Sequence, residues 1–202
     1  MSVRVLIAED QAMVRGALSA LLSLERDIEI VAEASRGDEV VPKALDALPD
    51  AALLDIEMPG GEGLSAAKEL QERLPSCRVV ILTTFGRSGY LRRAMENGAS
   101  GFLLKDAPAS ELADAIRRVM DGERVVDPGL ATAALSEGEN PLTDRERDVL
   151  SASANGATIE DIAGNLYLSE GTVRNYLSTA IKKLGSRNRI EASRRAERKG
   201  WL

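Results

Sequence analysis

The sequence predicts two architectures in series: an α/β domain over residues 1–121, built as a doubly wound sheet of five parallel strands, and a small all-α domain over residues 139–202. Three observations predict this. Short apolar runs alternate with amphipathic stretches through the first 121 residues, the pattern of consecutive βα units. The runs are apolar at successive rather than alternate positions, which suits parallel strands covered on both faces. Beyond residue 139 the strand-like runs stop and only the helical period remains.

The elements follow in order. "VRVLIA" (3–8) is strand one, and helix one spans 11–24 with Leu18, Leu21 and Leu22 at helical spacing. "IEIVAEA" (28–34) is strand two; helix two, at 38–48, accepts Pro42 if that residue falls in its first turn. "AALLD" (51–55) precedes a helix at 63–74, and "RVVILTT" (78–84) precedes one at 88–97, which Gly98 can cap. "GFLLK" (101–105) leads to the fifth helix at 110–121, whose apolar stripe is Leu112, Ile116 and Val119. Residues 122–138 are small and turn-forming, the composition of a linker with one short helix near 129–135.

In the second domain Thr143 and Glu146 have capping-box spacing, and Ser169 followed by Thr172 opens another helix. "IEDIAGNLYLSEGTVRNYL" places two short helices about a tight turn at 166–169, a helix-turn-helix pattern. Its second helix runs from Ser169 to about Leu184. Val173, Tyr176, Leu177 and Ile181 face inward, and Glu170, Arg174, Asn175, Ser178 and Lys182 face outward.

Composition narrows the chemistry. The chain has no histidine, which removes Ser-His-Asp and Cys-His catalysis and any histidyl phosphate on this chain. The single Cys77 forms no internal disulfide and reads as apolar filler. Met1 leads almost directly into the first strand, and no run of about 18 apolar residues occurs, so a cytoplasmic location is expected. The net charge of −6 is unevenly spread: residues 1–138 hold 15 Lys and Arg against 23 Asp and Glu, whereas 139–202 hold 11 against 9. From Ser169 onward the count is 9 against 3, an asymmetry that points to an anionic partner.

Doubly wound sheets bind ligands at the carboxyl ends of their strands. Here those ends carry Glu9 and Asp10, Asp55, Thr83 and Lys105. An acid at one strand end is ordinarily a solvated loop residue or a helix cap; the coincidence at four strand ends is what points to a site. Clustered carboxylates call for a divalent cation, and oxygen ligands select magnesium. Asp55 is then placed to take a phosphoryl group, with Lys105 on one phosphoryl oxygen and Thr83 donating to another.

These motifs carry a resemblance that covers nearly the whole chain. "AED", "LLDIEMPG", "ILTT" and "GFLLKD" resemble, in order and spacing, the acidic pair, phosphoacceptor, switch threonine and lysine of a response-regulator receiver domain. "PLTDRERDVL" and "LSEGTVRNYLSTAIKKLG" resemble the LuxR-type helix-turn-helix. The chain is thus identified as a member of the NarL/FixJ family of two-component response regulators, similar to its DesR-like members through "IAEDQ" and "GTVRNYL".

The resemblance implies a flavodoxin-like strand order 2-1-3-4-5, Asp55 as phosphoacceptor, Asp10 as a direct magnesium ligand, Glu9 as a ligand through water, and the Glu57 carbonyl completing the set. It makes Thr83 and Phe102 a switch pair, the ring turning inward as Thr83 moves to the phosphoryl group. It assigns Arg174, Asn175 and Ser178 to base edges of double-stranded DNA and Thr172 and Lys182 to phosphates. It implies a membrane-bound sensor histidine kinase as donor and homodimerisation on phosphorylation through helices one and five, and no enzymatic turnover.

The sequence departs from the family at Glu9, where Asp is common, at Glu160 and Asp161, where a basic residue is common, at Tyr176, where histidine is frequent, and at Pro108, displaced from its usual place after the lysine. Two rival readings stand beside it: a haloacid-dehalogenase-like phosphatase using Asp55 and Glu57, and a DNA-binding protein whose receiver serves only as a dimerisation or ligand module.

Overall fold

The computed structural model describes residues 2–84, 88–136, 140–154 and 156–202. The described chain divides into two compact units, the first running to Ala131 and the second starting at Thr132, residues 87–90 aside. The boundary expected at 138/139 lies outside the described residues.

The first unit is a parallel sheet in the order β2-β1-β3-β4-β5-β6. Its strands are β1 (Val3–Ala8), β2 (Ile28–Ala34), β3 (Ala51–Asp55), β4 (Arg78–Thr83), β5 (Gly101–Leu104) and β6 (Val125–Val126). The intervening helices are α1 (Ala12–Leu22), α2 (Gly37–Ala47), α3 (Gly63–Arg73), α4 (Ser88–Glu96) and α5 (Ala109–Met120). The five expected strands occur in the expected order, and β6 is additional. Val125 and Val126, read as linker, pair with Gly101 and Phe102 and extend the sheet edge. Two β-branched residues are too short a run to register as a strand by periodicity. The helix expected near 129–135 is α6 (Pro128–Ser136).

Burial follows the period of two. Val5, Ile7, Leu53, Val80, Leu82 and Leu103 share one core with Leu112, Ile116 and Val119 of α5. The alternate residues Leu6, Leu54 and Ile81, also fully buried, point to the other face, against which α2 and α3 pack. Helix α4 ends in a Schellman-type cap: Gly98 has φ +83°, and Ala99 N–H reaches the Ala94 carbonyl at 2.9 Å. Pro42 is a correction. Since α2 begins at Gly37, Pro42 lies in the second turn, where its missing N–H removes one helical hydrogen bond. Cys77 is buried, and burial, with Asp50 nearby, pushes its thiol up to about 12, so it stays protonated as a filler would.

The second unit contains α7 (Asp144–Ala154), α8 (Ile159–Leu166), α9 (Glu170–Lys183) and α10 (Arg189–Arg198). Their apolar faces enclose a core of Val149, Leu150, Ile162, Val173, Leu177 and Trp201, among others. The capping box at the start of α7 is present: Thr143 N–H donates to Glu146 Oε2 at 2.7 Å, and Glu146 N–H to Thr143 Oγ1 at 3.4 Å. A second box, Thr158 with Asp161, opens α8 and accounts for Asp161 as a cap.

Candidate functional site

Strand register assembles the first site. Ala8 pairs with Leu54, Asp55 with Leu82, and Thr83 with Leu104, so Glu9, Asp55, Thr83 and Lys105 each stand one step on along a neighbouring strand. Alternation sorts them further. Glu9, Asp55 and Lys105 continue the rows of Ile7, Leu53 and Leu103 on the α5 face, whereas Thr83 and Phe102 continue the opposite row.

The three charged groups meet. Lys105 Nζ lies 2.6 Å from Glu9 Oε2 and 3.0 Å from Asp55 Oδ2. Asp55 Oδ1 accepts the Ile56 N–H at 2.8 Å, which pins the carboxylate and leaves the Lys105 side for chemistry. Carboxylate oxygens of Glu9, Asp10 and Asp55 lie within 4.8 Å of one another, Glu9 and Asp55 buried and Asp10 exposed. Burial pushes the Glu9 carboxyl up despite the opposing pull of Lys105. Burial works against the Lys105 charge as well, yet its two carboxylate partners raise its pKa overall. The ammonium therefore stays charged at neutral pH, facing two acids whose mutual repulsion it relieves only in part.

Side chains with no signal in the sequence hold this cluster. Arg15 on α1 donates to the Glu9 carbonyl at 2.6 Å and sits 3.3 Å from Glu33 on β2, tying the β1–α1 loop to two elements. Gly63 donates its N–H to the Ile56 carbonyl at 2.9 Å, and a Cβ there would collide with the Asp55 carbonyl oxygen. Glu57 is exposed, whereas Asp55 is buried. Thr83 is buried and Phe102 is completely so. The Phe102 ring is therefore already covered from solvent in this structure. Lys105 donates its own N–H to the Thr83 carbonyl at 2.8 Å, and no peptide bond among the described residues is cis, although proline stands at Pro108.

The second candidate surface is α9. Arg174, Asn175, Ser178 and Lys182 are exposed, while Val173 and Leu177 are buried and Tyr176 and Ile181 pack against the core. Thr172 is half-buried, and its hydroxyl shares a 2.8 Å hydrogen bond with that of Ser169, which caps the helix by accepting Thr172 N–H. Arg174 pairs with Glu170 one turn earlier at 2.7 Å, an exposed ion pair that a stronger anion can displace. Lys183, next to Lys182, faces the other way: its Nζ lies 2.7 Å from the buried Glu146 carboxylate, which joins the end of α9 to the start of α7. Burial raises the Glu146 carboxyl, but Lys183 and Thr143 together bring it below the usual range. The reading of α9 as two faces placed Lys182 outward, as it is here, but assigned Lys183 to neither face and carried no sign of this pair with Glu146.

Comparison with known proteins agrees with the geometry. Residues 5–117 match the response regulator receiver domain, and residues 140–196 match the bacterial regulatory proteins of the luxR family. The transcriptional regulatory protein DesR of Bacillus subtilis strain 168 is 48% identical over 200 residues, covering 99% of each chain. The transcriptional regulatory protein YvfU of the same strain is also 48% identical over 200 residues, covering 99% of this chain and 100% of that one. Among solved structures, the response regulator ChrA of a heme-sensing two-component system is 34% identical with a TM-score of 0.59, covering 100% of this chain and 99% of that one. A receiver fold with an acidic pocket, followed by a luxR-family helix-turn-helix along the full length of such relatives, makes this chain a member of the NarL/FixJ family of response regulators, transcription regulators activated by phosphorylation.

Proposed function

We propose that Asp55 accepts a phosphoryl group from a membrane-bound sensor histidine kinase, and that the modified chain dimerises and binds double-stranded DNA sequence-specifically through α9. The observation that carries this reading is the convergence of Glu9, Asp10, Asp55 and Lys105 at strand ends in a chain that also carries a helix-turn-helix.

The clustered donors Glu9, Asp10 and Asp55 are all carboxylate oxygens, which fit magnesium rather than a softer metal, and the resemblance adds the Glu57 carbonyl to them. Magnesium held there supplies the charge that lets an anionic phosphoryl group approach a cluster of carboxylates. The chain's own residues do the rest. The phosphoryl group leaves a nitrogen of the kinase's histidine and forms a P–O bond with an Asp55 oxygen, the carboxylate being held in place through Ile56 N–H. Lys105 exchanges its contact with Asp55 for a phosphoryl oxygen, and the Thr83 hydroxyl donates to another. Thr83 and Phe102 share the other face of the sheet, so a shift of Thr83 is felt by a ring already seated in the interior. A phosphatase of the rival type would leave the luxR-family helix-turn-helix without a role, which supports a stoichiometric switch over an enzyme.

For dimerisation the support is the outer face of α1 and α5. Leu22, Leu112, Ile116 and Val119 are core, but Met13 and Leu21 are 86% and 44% exposed. They flank an apolar groove of about 300 Å³ lined also by Leu18, Leu103 and Leu112. On α9 the base-reading residues are Arg174, Asn175 and Ser178, with Thr172 and Lys182 on phosphates. No helix among the described residues is long and apolar enough to cross a membrane, and a cytoplasmic location goes with this reading.

The test adds beryllofluoride, a phosphoryl mimic, and magnesium to the wild type and to Asp55→Ala. Tighter DNA binding and dimer formation in the wild type alone support the reading. Equal behaviour of both proteins replaces it with a receiver that is a passive module.

A further inference from the structure

The most exposed large hydrophobic side chain described in the helical unit stands in the turn of the helix-turn-helix. Tyr167 is 96% exposed, and its hydroxyl has no partner among the described residues. Its backbone is left-handed, φ 55° and ψ 45°, because it forms the C-cap of α8, its N–H directed to the Ala163 and Gly164 carbonyls. Glycine takes that conformation at no cost and is the usual residue there, whereas a bulky side chain is strained in it. Leu166 and Leu168 on either side pack against the core, so the turn is anchored by its neighbours and gains nothing from the tyrosine ring. Folding therefore does not account for an aromatic residue at this position.

Charge indicates what does. From Thr158 to Val173 the chain has no lysine or arginine, while Glu160, Asp161 and Glu170 are exposed; the first cation of the motif is Arg174. Within this segment only neutral groups can donate to a duplex approached by α9, the nearby Arg189 being engaged with the Ala157 carbonyl at 3.0 Å, and tyrosine is one of the side chains that donate to phosphate oxygens without bringing charge. We infer that Tyr167 is a DNA-backbone contact: its O–H donates to a phosphate beside the entry of α9, supplying by a neutral hydrogen bond what a lysine supplies elsewhere. This rests on the DNA-binding reading of α9.

The experiment uses the full chain with beryllofluoride and magnesium, on fluorescent duplexes that the wild type selects from random-sequence DNA, titrated at several salt concentrations. Tyr167→Phe keeps the ring and removes the donor, so affinity falls about 3- to 10-fold, the value of one hydrogen bond. The slope of log affinity against log salt is unchanged because no cation is lost, whereas Lys182→Ala lowers that slope by about one. Tyr167→Gly binds as weakly or more weakly, yet relief of the left-handed strain raises the melting temperature of the helical unit by about 2–5 °C, followed by the single, buried Trp201. Wild-type affinity in both tyrosine variants, or a reduced salt slope in Tyr167→Phe, overturns the inference. So does a lowered melting temperature in Tyr167→Gly, which would make the tyrosine a folding residue. If the wild type selects no duplex while Lys182→Ala is equally inert, the DNA-binding reading itself fails and this contact with it.

Discussion

The two working surfaces of this chain are built on opposite principles. The receiver cluster is buried, each charge held by another: Glu9, Lys105 and Asp55 form a chain of ion pairs at 2.6 and 3.0 Å, set by the register of separate strands. The α9 face is exposed, its residues contributed by one helix, and the ion pair of Arg174 with Glu170 is of the surface kind that contributes little. A buried cluster gains from low local dielectric and cannot lose one member without leaving another uncompensated. An exposed face loses its members nearly independently. The receiver should therefore respond to substitution in an all-or-none manner, and the DNA face additively.

The largest expected effect is at the cluster. Asp55→Ala should abolish the beryllofluoride-dependent gain in DNA affinity altogether, since the attachment atom is gone; a residual gain of even a few fold would break the contrast drawn here. On the DNA face Arg174→Ala should weaken specific binding by about 1–3 kcal/mol and relax preference at one base position, measured by competition between selected and scrambled duplexes. Combining it with Lys182→Ala, two turns along the same helix, should give the sum of the single losses within about 0.5 kcal/mol.

Structural supports come next. Gly63→Ala places a methyl group on the Asp55 carbonyl and should destabilise the receiver by about 1–3 kcal/mol in urea unfolding, slowing phosphorylation as the carboxylate shifts. A wild-type midpoint would show that the β3–α3 loop gives way without cost. Glu146→Gln should cost about 1–2 kcal/mol in the helical unit, because Lys183, which is only partly exposed, loses its buried carboxylate while the cap to Thr143 weakens. Trp201 fluorescence reports that transition.

The smallest effect is one of pH. Arg117 on α5 donates to Asp27 at 2.8 and 2.9 Å and holds that carboxyl down to about 2 from an ordinary 3.8. A depressed acid stabilises the folded state above its unfolded value. This contribution is therefore complete above about pH 4 and is lost as pH falls toward 2. Arg117→Ala should flatten the receiver's stability profile over that interval and leave it unchanged near neutrality in shape. A profile that keeps its acid slope in the variant would assign the slope to other carboxylates.

The elements were legible to different depths. Strand and helix positions agreed within about two residues because apolar period and caps are local signals, as at Gly98 and at Thr143 with Glu146. Pro42 and β6 differ for local reasons too: Pro42 falls past the first turn whether the helix starts at residue 37 or 38, and β6 is a strand of two residues. The acidic strand ends were legible because a parallel sheet gathers its carboxyl ends whatever the details of packing. The support from Arg15, the collision that keeps Gly63 a glycine, the pairing of Lys183 with Glu146 and the outward turn of Tyr167 were not, since each depends on atoms brought together from separate segments or on one backbone angle.

By itself the sequence determined the two-domain order, the βα repetition, the chemistry available without histidine, and which face of α9 meets solvent, because these follow from residue type and spacing along one segment. Only the tertiary structure decided which oxygens Lys105 approaches, that Phe102 is buried, which of two adjacent lysines pairs with the buried Glu146, and that Tyr167 stands in solvent. Those outcomes rest on distances of a few ångströms between segments, which side-chain period cannot transmit and packing alone sets.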